Sequence, residues 1–128
     1  MKRKVRKLTR RNQGESWTEV CARLRRAIVG WVNYYALADG RNHMIQLDEW
    51  LRRRMRQMTW KKWKTTKNRY KQLKNRGVRE FWAIRAGGTS KGVWRISASP
   101  PLHKALNNDY LDKAGLVSFL KQYELRRT

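Results

Sequence analysis

The side chains that most often perform catalysis or bind metals are few in this sequence and do not cluster. His43 and His103 are far apart, and neither has a cysteine or carboxylate at ligand spacing. We expect both to be surface or capping histidines. Asp48 and Glu49 are adjacent, so on a helix their carboxylates point about 100° apart and cannot hold a metal as a pair.

Converging carboxylates are what two-metal polymerase and nuclease chemistry requires. Nine Asp and Glu residues scattered among 32 Lys and Arg do not offer them. Cys21 is the only cysteine, which excludes an internal disulfide framework and zinc sites with two or more cysteines. From its residues, the chain is predicted to be a binding module with no cofactor, no metal and no enzymatic activity.

Basic residues dominate the 128-residue sequence and indicate a polyanionic partner. The net charge is +23, and a compact domain with that charge repels itself unless an anion binds to it. Seven Trp and 40% hydrophobic residues argue against a disordered chain. Nucleic acid and an anionic membrane surface are the partners to weigh, and no apolar run approaches the roughly 18 residues of a membrane span. We expect a bacterial protein that is cytoplasmic or associated with the nucleoid, and no membrane partner.

The segment WLRRRMRQMTWKKWKTTKNRYKQLKNR is the strongest candidate for nucleic-acid binding. Basic side chains neutralise phosphates and release counterions, and aromatic rings stack on unpaired bases. The structural alternative is a solvated basic face. Trp60 and Trp63, taken singly, are expected to pack between subdomains. The segment SKGVWR, Ser90 to Arg95, is interpreted as a turn before a strand, with a phosphate held on its backbone amides as the alternative.

Helix caps and apolar periodicity locate the elements that position these residues. Ser16 and Glu19 fit a capping box, and the face that follows carries Trp17, Val20, Cys21, Leu24, Ala27, Ile28, Trp31, Val32 and Tyr35. A second helix is predicted from about Met44 to Lys64, with an apolar stripe opposite its arginines. A third is predicted from about Thr66 to Asn75, with Gly77 as its C′ residue.

Beyond Gly77 the pattern is weaker. VREFWAIRA is interpreted as a short helix, and the alternation over Val93 to Ala98 predicts a short strand, or a hairpin. Pro101 suits the first position of another helix. A final helix is predicted to start near Gly115.

The pieces, in their order along the chain, resemble the maturase region of group II intron-encoded reverse transcriptases. The resemblance covers nearly the whole chain and rests on LTRRNQGESWTEVCARLRRAIVGWVNYYA, LDEWLRRRMRQMTWKKWK, RYKQLKNRGV and SKGVWRISASPPLHKALNNDYLDKAGLVSFLKQY. In that family the region forms the helical thumb and the adjoining maturase domain, or domain X. It binds the intron RNA and stabilises the structure that splices itself, so the RNA is the catalyst.

The resemblance implies a fold, a division of the chain and a set of contacts. The fold class is mainly α, an antiparallel helical bundle that is thumb-like, followed by a small helical subdomain with a short β-strand or hairpin. Residues 1–13 are a basic arm or helix, 14–76 the bundle and 77–128 the C-terminal maturase subdomain. The implied RNA-binding residues are Arg52, Arg53, Arg56, Lys61, Lys62, Lys64, Lys67, Arg69, Lys91 and Arg95.

Polymerase and nuclease activity is not carried over. The sequence contains neither the Tyr-x-Asp-Asp turn of the family's palm nor its His-Asn-His endonuclease. The absence of the upstream fingers and palm is expected for an excised domain, a remnant of a degraded intron or a separately encoded half of a split protein.

Three hypotheses follow from the sequence. The first is a splicing cofactor whose partner is group II intron RNA. The second is the thumb half of a split or truncated reverse transcriptase, whose partners are an RNA/DNA template–primer duplex and a separate palm and fingers chain. The third is a generic basic architectural or membrane-surface protein. The tryptophan-rich globular pattern argues against the third, because interfacial helices need one broad apolar face and no core.

Overall fold

The computed structural model describes residues 1–9, 16–35, 40–88 and 93–127, and every regular element within these ranges is an α-helix. This confirms the prediction of a mainly α fold. No helix in the described ranges has the length and apolar character needed to cross a membrane. The helices are α1 (Lys2–Leu8), α2 (Trp17–Tyr35), α3 (Arg41–Trp63), α4 (Thr66–Asn75), α5 (Glu80–Gly87), α6 (Val93–Ile96), α7 (Pro100–Ala105), α8 (Asn108–Lys113) and α9 (Phe119–Arg127).

Helix α2 begins where the sequence predicts it. The hydroxyl of Ser16 accepts a hydrogen bond from the backbone N–H of Glu19 at 3.3 Å, which satisfies one of the donors left open at a helix start. The predicted inward face is buried at Val20, Cys21, Leu24, Ile28 and Val32. Tyr34, near the C-terminal end of the same helix, does not lie on the buried face and is 86% exposed. The predicted amphipathic helix is therefore confirmed.

Helix α3 is the longest element and contributes to two separate apolar clusters. Its 23 residues extend about 34 Å. The first cluster contains Met44, Leu47, Leu51, Met55 and Met58 of α3 together with residues of α1, α2, α8 and α9. The second contains Trp60 and Trp63 with residues of α4, α5, α6 and α7. Both tryptophans are buried, as predicted from the rarity of solvent-facing tryptophan pairs.

The turn after α4 also follows the sequence prediction. Gly77 has φ +89°, a left-handed conformation that favours glycine, and Val78 N–H donates to the carbonyl of Leu73 at 3.0 Å. This 6→1 bond is the pattern of a Schellman cap, which ends the helix and satisfies one of its open carbonyls.

Three predictions for the C-terminal part are wrong. The segment predicted as a strand forms the single helical turn α6 and a following turn, in which Ser97 and Ser99 hydroxyls donate to the carbonyls of Trp94 and Ile96. Serine hydroxyls that satisfy nearby carbonyls in this way compete with strand pairing, and the described residues include no strand for it to pair with.

The final helix begins at Phe119 and not near Gly115. Gly115 has φ +99° and belongs to the turn that ends α8, where Leu116 N–H donates to the carbonyl of Leu111 at 3.1 Å. Pro100, and not Pro101, is the first residue of α7.

A carboxylate on α3 fixes the start of α9. Asp48 is only 4% exposed, and its two oxygens accept hydrogen bonds from the N–H of Phe119 at 2.7 Å and of Leu120 at 3.1 Å. The hydroxyl of Ser118 donates to the same carboxylate at 2.7 Å. Because the N–H groups at a helix start are open donors and carry partial positive charge, a carboxylate stabilises them. Beside this cap, Phe119 packs edge-on against Trp31 at 5.8 Å between ring centroids.

We expect Asp48→Ala to lower the free energy of unfolding by about 2–3 kcal/mol, because three hydrogen-bond donors at the start of α9 lose their acceptor. The measurement is urea denaturation followed by circular dichroism at 222 nm. Glu49→Ala is the matched control, since Glu49 is exposed, lies on the same turn and changes the net charge equally. Equal destabilisation by the two substitutions would contradict the cap.

Candidate nucleic-acid interface

The arginines in the middle of α3 point in different directions and hold different parts of the chain. Successive helical residues are about 100° apart, so Arg53, Arg54 and Arg56 cannot share one face. Arg54 turns toward α1, where its Nη2 donates to the hydroxyl of Thr9 at 2.9 Å and to the carbonyl of Arg6 at 3.3 Å. Arg54 therefore ties the C-terminal end of α1 to α3.

Arg53 holds α6 against α3. Its Nη2 donates to the carbonyl of Trp94 at 2.7 Å, and its Nε donates to the hydroxyl of Ser97 at 3.2 Å. The guanidinium carbon also lies 4.0 Å from the centre of the Trp94 ring, within the range of a cation–π contact. The position of this predicted RNA-binding residue is therefore fixed by three internal contacts.

Arg56 is the most deeply buried of the predicted site residues that the structure describes, with 3% exposure. Its Nε donates to the carbonyl of Leu106 at 2.8 Å, and its Nη2 donates to the side-chain oxygen of Asn108 at 3.0 Å. Burial, together with the neighbouring Arg52 charge, lowers the pKa of the Arg56 guanidinium. This side chain joins α3 to the connection between α7 and α8.

The structure brings Arg52, Arg53 and Arg56 together along one open groove of about 550 Å³. We call it the arginine groove; its lining also includes Trp94, His103, Asn108, Gln46, Glu49 and Trp50. Partial burial in the groove, followed by the charges of Arg56 and Arg53, lowers the pKa of the His103 imidazole. A lowered pKa favours the neutral imidazole of His103 at pH 7, and a neutral imidazole can accept as well as donate a hydrogen bond.

Two residues beside the groove were not identified from the sequence. Lys2 and Arg6 of α1 lie 5.3 and 5.5 Å from the ring centre of Trp50, which itself lines the groove. The sequence predicts residues 1–13 as a basic arm or helix, but no local pattern shows that this segment packs beside Trp50. Helix α1 therefore adds positive charge next to the arginine groove.

The remaining predicted residues of α3 and α4 lie around the corner between these helices. Lys62, Lys64 and Lys67 are exposed, and Lys61 is half-buried. Arg69 turns inward, with its Nε donating to the carbonyl of Trp60 at 3.2 Å and its guanidinium 4.5 Å from the centre of that ring. The corner between α3 and α4 therefore has exposed lysines on its surface and the buried Trp60 beneath them.

The structure does not unite all ten predicted residues. Arg95 on α6 is exposed and is not among the residues that line the arginine groove. Lys91 lies outside the described residues, together with Ser90 and Gly92. Within the described ranges, no three His, Cys, Asp or Glu side chains are grouped as metal ligands.

Comparison with known families finds a match to the N-terminal part of the chain. Residues 1–77 match the family model described as the group II intron, maturase-specific domain. The matched range includes α1 to α4 and eight of the ten predicted RNA-binding residues, and Lys91 and Arg95 lie beyond it. A search of curated proteins finds no match.

We expect Arg56→Met to lower the free energy of unfolding by about 2 kcal/mol, because the buried carbonyl of Leu106 and the amide of Asn108 lose a charged donor. Arg52→Met is the matched control, with the same change in charge and volume and none of these contacts, and its effect should stay within about 0.5 kcal/mol. Urea denaturation measures both. A larger effect for Arg52→Met would contradict the positioning role of Arg56.

Proposed function

The chain belongs to the group II intron maturase-specific domain family, and from this premise we propose that it binds group II intron RNA and stabilises the RNA structure that splices. In this proposal the protein supplies no catalytic group. It holds folded RNA in place, and the RNA performs the reaction.

The arginine groove is the observation that supports the proposal most directly. Arg53 and Arg56 bond to carbonyl, hydroxyl and amide oxygens, which are neutral. Glu49 is the one carboxylate among the residues that line the groove, against three arginines. The groove therefore keeps a positive potential that attracts phosphates. Arg52 lines it without making those internal bonds and is the residue we assign to a direct phosphate contact.

Rigid placement of the cations gives a reason for preference among RNAs. The internal bonds of Arg53 and Arg56 fix two of the groove's positive charges in space, so phosphates at matching positions are favoured over others. Double-stranded RNA is distinguished mainly by shape and backbone contacts. A folded intron presents phosphates in a particular arrangement, whereas a random duplex presents a uniform helix.

The alternative function is a thumb that clamps a template–primer duplex for a separate polymerase chain. The outward lysines at the corner of α3 and α4 favour it, because a row of exposed cations suits a regular duplex backbone. Addition of the chain to a reverse transcriptase that lacks this region distinguishes the two. Increased primer extension would favour the clamp.

Under the intron-binding proposal, affinity for a group II intron RNA should fall by at least ~100-fold between 50 and 200 mM salt, since phosphate contacts release counterions. At fixed salt, the intron should bind more tightly than a random duplex of equal length. Filter binding with labelled RNA measures both quantities. Equal affinity for the two RNAs would contradict the specific-cofactor proposal.

A matched pair of variants tests the groove itself. Arg52→Gln should weaken intron binding roughly fivefold through the loss of a phosphate contact. Arg26→Gln removes the same charge from the exposed face of α2 and should leave affinity nearly unchanged. Equal losses would assign the binding to overall charge and not to the groove.

A further inference from the structure

Helix α5 carries its small residues inward and its large apolar residues outward. Ala83 and Ala86 are buried in the second apolar cluster, whereas Phe81, Trp82 and Ile84 are 59%, 51% and 58% exposed. A surface helix normally has the opposite arrangement, with its large apolar side chains facing the core. Neighbouring exposed aromatic side chains of this kind usually mark a binding surface.

The packing of α5 explains how this arrangement is fixed. A Cβ added at Gly87 would lie only 3.2 Å from the carbonyl oxygen of Thr66, so the end of α5 approaches the backbone of α4 closely. The phenol of Tyr70 donates to the Glu80 carboxylate at 2.9 Å and holds the other end. Because the inner side of α5 packs closely against α4, the helix cannot rotate to bury its aromatic rings.

Trp82 forms one wall of a cleft of about 380 Å³, which we call the tryptophan cleft. The other residues that line it are Val78, Arg79, Pro100, Pro101 and Lys104. Its volume falls within the range of small-ligand sites. The lining combines a flat aromatic ring and two prolines with two cations, and it contains no carboxylate.

The aromatic rings at the cleft are held in a defined orientation. Phe81 packs edge-on against Trp82 with 5.2 Å between ring centroids, and the Arg85 guanidinium lies 5.4 Å from the centre of the Phe81 ring. A stacking partner therefore meets a surface that is already ordered, which lowers the entropy lost on binding.

We propose that the tryptophan cleft binds one unpaired nucleotide of the RNA, with its base stacked on Trp82 and its flanking phosphates beside Arg79 and Lys104. This inference rests on the proposed function and adds a second RNA contact, in the tryptophan cleft, to the one in the arginine groove. Stacking of unpaired bases on aromatic rings beside cations is the usual way in which proteins hold single-stranded RNA.

Charge favours RNA over a protein segment as the occupant. Lysine is depleted from protein–protein interfaces, whereas Lys104 lines this cleft beside Arg79. The chain's net charge of +23 adds to the attraction for a polyanion.

Helix α7 joins the cleft to the arginine groove. His103 lines the arginine groove, and the next residue, Lys104, lines the tryptophan cleft with Pro100 and Pro101. An RNA whose folded backbone lies in the groove can therefore extend an unpaired nucleotide across α7 into the cleft. Stacking accepts any base, so the cleft recognises a bulge or loop more than a sequence.

The test uses two RNA hairpins of the same stem sequence, one fully paired and one with a single bulged 2-aminopurine, each with a terminal fluorophore. Anisotropy titrations give the dissociation constants with the full chain. Trp82→Ala should weaken binding of the bulged hairpin about tenfold and leave the paired hairpin unchanged. Trp82→Phe keeps an aromatic face and should retain most of the affinity.

Ile84→Ala is the matched control, because it also removes an exposed apolar side chain from α5 and lies outside the cleft. It should leave both affinities unchanged. With the same bulged RNA lacking the terminal fluorophore, wild-type protein should quench 2-aminopurine emission by stacking, and Trp82→Ala should not. Circular dichroism verifies that the variants fold.

Three results overturn the inference. If Trp82→Ala binds both hairpins as the wild type does, the cleft does not hold RNA and its exposed rings are left as a surface for a protein partner. Equal weakening of both hairpins would show that the bulge is not recognised there. If the wild-type chain binds neither these hairpins nor an intron RNA, the proposed function fails and the inference fails with it.

Discussion

The structure depends on arginine side chains of α3 that bond to oxygens of distant segments. Arg54 reaches α1, Arg53 reaches α6, and Arg56 reaches the connection between α7 and α8. Hydrogen bonds from a charged donor stabilise more than neutral ones, and these acceptors carry no formal charge. The contacts therefore fix the fold and leave the positive charge uncancelled. The two ion pairs resolved within the described ranges, Arg41 with Glu124 and Lys121 with Asp112, are exposed and stabilise little.

Aromatic rings are a second kind of neutral partner for the arginines. Arg69 and Arg76 lie over the buried Trp60 and Trp63, at 4.5 and 5.2 Å from the ring centres. An aromatic ring face attracts a cation but does not neutralise its charge, so a charged arginine can lie directly against an apolar core. Near the end of α2, Val32 is buried and Trp31 packs against Phe119, which joins α2 to α9. Tryptophans inside the fold thus hold neighbouring arginines at fixed positions.

Local signals in the sequence predict the helices as far as α5 well and long-range contacts poorly. Ser16 and Gly77 mark helix ends through bonds made within a few residues, and both predictions are confirmed. The start of α9 depends on Asp48, 70 residues before Ser118, and no local pattern reveals that cap. For the same reason charge counting treats Arg56 and Lys64 alike, although one is buried against Leu106 and the other is exposed. The division at residues 13 and 76 and the ten RNA contacts stay predictions.

Arg53, Arg54 and Arg56 position the groove, whereas Arg52 and the outward lysines are the cations proposed to meet RNA. Crosslinking tests this division of roles most directly. Group II intron RNA is photocrosslinked to the full chain, and the modified residues are mapped by mass spectrometry and normalised to side-chain exposure. We predict enrichment at Arg52 and at the outward lysines, Lys62, Lys64 and Lys67, over Arg23 and Arg26 on the outer face of α2. Crosslinks distributed in proportion to exposure, or concentrated on α2, would contradict the account.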